Sequence, residues 1–116
     1  MHLESFREYC LGKKGVAEET PFGPETLVFK VGGKIFALTS LDEPVFRCSL
    51  KCDPERAVEL REQYDWIIPG YHLNKKHWNT LAPTPVTPDV LVQELVDHSY
   101  ELIVRSLPRK VQEEYL

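Results

Sequence analysis

The residues in this 116-residue chain with the most chemistry to offer are four histidines, three cysteines and one basic, aromatic stretch. That stretch runs Tyr71-His72-Leu73-Asn74-Lys75-Lys76-His77-Trp78-Asn79-Thr80. Asn74 is suited to cap a helical turn, so that free backbone N–H groups and the ammonium groups of Lys75 and Lys76 would converge on one anion. Tyr71 or Trp78 would then offer a ring on which a nucleobase stacks. The same residues also read as an ordinary turn, with Leu73 and Trp78 in a core and Asn74 a plain cap.

Other constellations have the wrong spacing for catalysis or metal binding. His72 and His77 are five positions apart, which suits neither one helical face nor one strand face. Asp97-His98-Ser99 has the composition of a catalytic triad, but consecutive helical residues point about 100° apart and cannot relay a proton in order. Cys48 and Cys52 miss the C-x-x-C spacing of zinc and redox motifs. Cys48 falls on the apolar side of a strand and reads as core. Cys52 precedes a helix start and adjoins Lys51, both of which would lower its pKa, although no general base accompanies it. No catalytic residue, metal or cofactor is therefore assigned.

The charges are segregated along the chain. Residues 27–38, 45–52 and 66–82 hold Lys30, Lys34, Arg47, Lys51, Lys75 and Lys76 and no acid, whereas residues 53–65 hold five acids against two arginines. Residues 86–116 carry six acids against three bases. A basic sheet face would meet phosphates despite a net charge of −4. Equally, cations on a solvated sheet face discourage edge-to-edge aggregation without binding anything.

The elements that must carry these residues follow from periodicity. Leu3, Phe6 and Cys10 form a short amphipathic stripe that stops at Gly12, and residues 13–25 read as a Pro- and Gly-broken loop. Leu27 to Val31 and Lys34 to Ser40 flank Gly32-Gly33, a hairpin signal because both glycines accept positive φ. From Val45 to Lys51, Phe46, Cys48 and Leu50 alternate with Arg47, Ser49 and Lys51, giving one apolar and one polar, cationic face. Asp53-Pro54 opens a helix through about Tyr64, Trp66 to Ile68 are extended, and a strand begins near Trp78. Thr87-Pro88-Asp89 opens the longest helix, with Leu91, Leu95, His98 and Leu102 at helical spacing, and Pro108 ends it before a short last helix.

Length and composition fit one domain over residues 1–116, with 42% apolar and 28% charged residues. No apolar run is long enough for a membrane helix, the first residues lack a secretory pattern, and an odd, unpatterned cysteine count suits a reducing compartment. A cytoplasmic α+β protein with an antiparallel sheet packed on helices, and no membrane partner, is the expectation.

Three blocks carry a family resemblance: Pro21-Phe22-Gly23-Pro24-Glu25-Thr26 running on to Lys34, Leu50-Lys51-Cys52-Asp53-Pro54, and Pro69-Gly70 running on to Thr80. With Asp97-His98-Ser99-Tyr100 and Leu107-Pro108 they resemble the MmcQ/YjbR family over nearly the whole chain. The resemblance implies a small α+β fold likened to a double-wing DNA-binding motif, and members are labelled predicted DNA-binding proteins. It brings no catalytic residues. The chain departs from the family pattern at residues 82–86, where relatives carry an Asp-Gly type turn at the tip of a last hairpin.

Two functions lead as expectations, and an enzyme is third, to be favoured if the Tyr71 to Trp78 stretch lines a deep pocket on which His72 or His77 converges. One is a non-enzymatic DNA-binding domain that contacts phosphates through Lys30, Lys34, Arg47, Lys51, Lys75 and Lys76, with Tyr71, Asn74 or Trp78 near bases or sugars and His72 also among the nucleic-acid- or anion-binding residues. The other is an adaptor domain whose acidic helices dock a protein partner.

Overall fold

Gly32 and Gly33 adopt φ of 58° and 80°, closing the tight hairpin from which the sheet grows. In the computed structural model, which describes residues 1–116, this hairpin joins β2 (Thr26–Val31) to β3 (Lys34–Ser40). The short strand β1 (Ala17–Glu19) adds to the free edge of β2, with Ala17 opposite Lys30. β4 (Cys48–Lys51), β5 (Ile67–Pro69) and β6 (Trp78–Leu81) complete a six-stranded antiparallel sheet in the order β1-β2-β3-β4-β6-β5.

Four helices accompany it: α1 (Leu3–Leu11), α2 (Pro54–Gln63), α3 (Asp89–Ser106) and α4 (Arg109–Gln112). The Asp53 carboxylate accepts the Arg56 N–H at 3.2 Å and Pro54 occupies the first turn, as a capped helix start requires. Strand alternation sends Phe29, Val31, Cys48, Leu50 and Leu81 toward the helices, where they join Phe6, Leu60, Val92, Val96 and Val104 in one buried cluster. The Phe6 ring meets Phe29 edge-on with centroids 5.8 Å apart, which seats α1 on the sheet.

Two anchors fix α3. The register slips between Phe29 and Lys30, leaving Phe36 as the extra residue of a bulge. The Ser99 hydroxyl donates to the Phe36 carbonyl at 2.5 Å and accepts the Lys51 N–H at 3.0 Å, tying α3 to two strands. Asp97 accepts the Tyr9 hydroxyl at 2.6 Å and pairs with Lys13, whereas His98 Nε2 accepts the Asp53 N–H at 3.2 Å. The three adjacent residues therefore face different partners, in agreement with the geometric argument against a triad.

Several boundaries differ from the sequence expectation. Residues 17–19 form β1 rather than loop, because an edge strand of three residues with two glutamates has too little apolar alternation to announce itself. β4 begins at Cys48 and not Val45, since its partner Thr39 is the last β3 residue in that ladder. The buried side of α3 is Val92, Leu95, Val96, Ser99, Tyr100, Ile103 and Val104, so Leu91, His98 and Leu102 flank the core stripe rather than centre it. Residues 82–88 connect β6 to α3, so the proline-rich segment is an interlayer connection and not a hairpin tip. No helix is long and apolar enough to cross a membrane.

Candidate functional site

With the helices on one side, alternation turns Thr26, Leu38, Ser40, Ser49, Lys51, Trp78 and Thr80 to the other side of the sheet. Across the strands, Leu38, Ser49 and Thr80 lie in one row, paired Leu38 to Ser49 and Ser49 to Thr80. Loop residues rise around this row. Phe22 comes from the β1–β2 connection, Glu43 and Arg47 from the β3–β4 connection, and Tyr71, His72 and Leu73 from the β5–β6 connection. Together they enclose a hollow of about 430 Å³ on the helix-free face, a size typical of ligand-binding clefts.

Hydrogen bonds lock this geometry. The Thr80 hydroxyl accepts the Tyr71 N–H at 2.9 Å and shares a 2.8 Å hydrogen bond with Ser49, so one wall is fastened to the floor. Thr39 donates its hydroxyl to the Arg47 carbonyl at 2.7 Å, fixing the backbone from which the guanidinium extends. Gly70 donates its N–H to the Trp78 carbonyl at 2.8 Å, and a Cβ at Gly70 would come within 2.8 Å of the Trp78 Cβ. The glycine is thus what lets the loop fold back over β6. His72 follows with φ of 59°, the one non-glycine residue in the left-handed region, and its ring lies 4.0 Å from that of Tyr71. Phe22 and Tyr71 are 66% and 59% exposed, large rings left open at the rim of the hollow.

The residues singled out by sequence divide into three groups. Arg47, Tyr71 and His72 line the hollow. Lys30, Lys51 and Trp78 lie on the same sheet face outside it, Lys51 directly across from Trp78, while Lys30 pairs with Glu19 at 3.2 Å. The others lie elsewhere: Lys34 donates to the Ser106 hydroxyl at 3.3 Å, Lys75 to the Gly70 carbonyl at 2.9 Å, and Lys76 borders a shallow surface depression together with Glu55 and Glu59 of α2. The six cations therefore do not form one face.

Residues 74–78 form a turn and not an anion-binding helix start. The Asn74 side chain accepts the Lys76 N–H at 2.9 Å and its carbonyl accepts those of His77 and Trp78 at 3.3 and 3.0 Å, so these donors are already used. Cys52 also departs from expectation. Burial pushes its thiol up to about 11, outweighing the lowering by Arg56, while Cys10 and Cys48 are raised by burial as well.

Sequence reasoning missed Phe22, Glu43 and Ser49, and took in Thr80 only as the end of the 71–80 stretch. Ser49 had a signal, since it alternates with Arg47 and Lys51 on the polar side of its strand. Phe22, a lone aromatic between proline and glycine in a segment with no apolar period, had another. Glu43 had none, because its place depends on how the β3–β4 connection bends over the sheet.

Comparison with known proteins agrees with this architecture. The YjbR family model matches residues 11–102. The uncharacterized protein YbdF of Escherichia coli O157:H7 is 42% identical over 92 residues, covering 79% of this chain and 75% of its own. The uncharacterized protein YjbR of Escherichia coli K12 is 34% identical over 110 residues, covering 95% and 93%. Among solved structures, the Deinococcus radiodurans protein DR2400, described as carrying a DUF419 domain, superposes with a TM-score of 0.91 at 39% identity over 98% of this chain and 87% of its own. A Pseudomonas syringae protein gives a TM-score of 0.76 at 27% identity, covering 88% and 98%.

Proposed function

This chain belongs to the YjbR family, and from that premise we propose that it is a non-catalytic DNA-binding domain whose contact surface is the helix-free face of its sheet. The observation that carries the reading is the hollow on that face, which joins exposed rings of Phe22 and Tyr71 to the guanidinium of Arg47. Aromatic platforms beside a cation are the means by which proteins hold bases and backbone together. Lys51 lies on the same face and extends the positive surface beyond the hollow, while Lys30 on that face is paired with Glu19 at 3.2 Å.

Segregation of charge favours this side over the others. α2 presents Glu55 and Glu59 to solvent, and Arg56 is neutralised by Glu94 at 2.7 Å, so the helical layer would repel a phosphate backbone. The three thiols are buried and held protonated, so none of them is a ready nucleophile.

The test is binding of a fluorescein-labelled oligonucleotide at several salt concentrations by the parent and by Arg47→Glu/Lys51→Glu. With Arg47 and Lys51 as the phosphate contacts, log Kd should change with log salt with a slope of about 1.4 to 1.8. The double variant should lose most of that slope. Unchanged binding in the variant would refute the assignment, and so would absence of binding by the parent at low salt.

A further inference from the structure

The shape of the hollow distinguishes between forms of DNA. In a duplex the bases are stacked inward and their edges lie at the bottom of grooves, so a protein reads them with an element that projects. The helix-free face offers the converse, a depression with aromatic walls. Only a group that projects from the nucleic acid can enter it, as an unpaired base does.

The polar groups of the hollow match a base edge better than a phosphate. Ser49 and Thr80 have one hydroxyl proton each, and their mutual hydrogen bond at 2.8 Å uses one of the two. Thr80 Oγ1 already accepts the Tyr71 N–H at 2.9 Å, so whichever hydroxyl donates to the other, one proton is left for the hollow. Glu43 contributes a carboxylate that forms no ion pair, an acceptor for a base amino group and a repulsive neighbour for phosphate. Arg47, also without an ion-pair partner, is the group left for the backbone. His72 is held at a φ of 59° in the wall with its ring against Tyr71. Such backbone strain is concentrated where a side chain must be presented to a ligand.

We propose that the hollow walled by Phe22, Tyr71 and His72 receives one unpaired nucleobase, which makes the chain a binder of single-stranded rather than duplex DNA. This rests on the DNA-binding reading above and specifies the form of nucleic acid that the face takes. The aromatic walls supply stacking, the floor hydroxyls and Glu43 meet the base edge, and Arg47 meets the flanking phosphate.

The experiment compares one labelled mixed-sequence oligonucleotide, alone and annealed to its complement, by fluorescence anisotropy at low salt. Binders are the parent, Phe22→Ala, Tyr71→Ala and Arg47→Glu. Both rings are mostly exposed, so their removal should leave the fold intact, which circular dichroism checks. The parent should bind the single strand about tenfold or more tighter than the duplex, and Tyr71→Ala should weaken single-strand binding by about tenfold with little change for duplex. Equal or tighter duplex binding, or single-strand binding indifferent to Phe22→Ala and Tyr71→Ala, overturns the proposal. If Arg47→Glu still weakens both forms in that case, the DNA-binding reading stands without it. Absence of binding to either form refutes both.

Discussion

The hydroxyl of Thr80 accepts the backbone N–H of Tyr71 at 2.9 Å, and through that contact the floor of the sheet's helix-free hollow holds its wall in place. Thr80 is 3% exposed, and its hydroxyl is engaged by both the Tyr71 N–H and Ser49. Thr80→Val keeps the shape and leaves that donor unpaired, which should cost about 1–3 kcal/mol in urea unfolding. It should also weaken ligand binding more than Ser40→Ala, because Ser40 bonds Asp42 and not the wall.

A second network supports the same loop from the helical side. Arg61 of α2 donates to the Asn79 side-chain oxygen at 2.8 Å and to the Lys75 carbonyl at 3.2 Å, while Asn79 donates to the Ala57 carbonyl at 3.3 Å. Asn79→Leu removes the acceptor of a charged donor and leaves the Ala57 carbonyl without that partner. A loss of about 2 kcal/mol or more is expected in chemical denaturation, and a loss within error would mean that water replaces Asn79 freely.

The two hairpin glycines should respond differently to substitution. At Gly32 a Cβ would approach the Leu107 Cδ1 to 2.5 Å in a left-handed backbone, whereas at Gly33 no atom lies within 4 Å. Gly32→Ala should therefore cost about 2 kcal/mol or more, since left-handed strain of about 1–2 kcal/mol adds to the crowding. Gly33→Asn should cost less than about 1 kcal/mol, because Asn tolerates that conformation. Melting temperatures of the two variants decide the comparison.

Acid should act through His98. Burial and then Arg56 lower its pKa, against the opposing pull of Asp53, Glu101 and Glu94, and its Nε2 must stay unprotonated to accept the Asp53 N–H. The native state thus resists a proton that the unfolded chain takes up. This contribution is intact above the unfolded value near 6.5 and is lost as the pH falls below it. The stability of the parent relative to His98→Gln should decline as the pH is lowered through that value, and a difference independent of pH would contradict the assignment.

Local chemistry makes most elements legible in the sequence alone. Gly32-Gly33 specifies the hairpin, Asp53-Pro54 the start of α2, and Pro108 the end of α3, because each acts through backbone geometry within a few residues. The family is readable from ordered blocks along the chain. The site is only partly readable. Arg47, Tyr71 and His72 lie where an anion- or base-binding surface needs them, but Lys34, Lys75 and Lys76 have internal or acidic neighbours that no sequence count discloses. Thr80 and Glu43 join the hollow only because β4 pairs with β6 and the β3–β4 connection bends over the sheet. Those are long-range pairings, and periodicity carries no information about them.

Whether the helix-free face of the sheet is where DNA binds can be read residue by residue, by two-dimensional amide NMR of the labelled protein titrated with a single-stranded oligonucleotide at low salt. Shifts should concentrate at Phe22, Leu38, Arg47, Ser49, Tyr71 and Thr80, while the exposed side of α2 around Glu55 and Glu59 stays unperturbed. Shifts centred on α2 and Lys76 with the hollow silent, or no shifts at all, would contradict binding at this face.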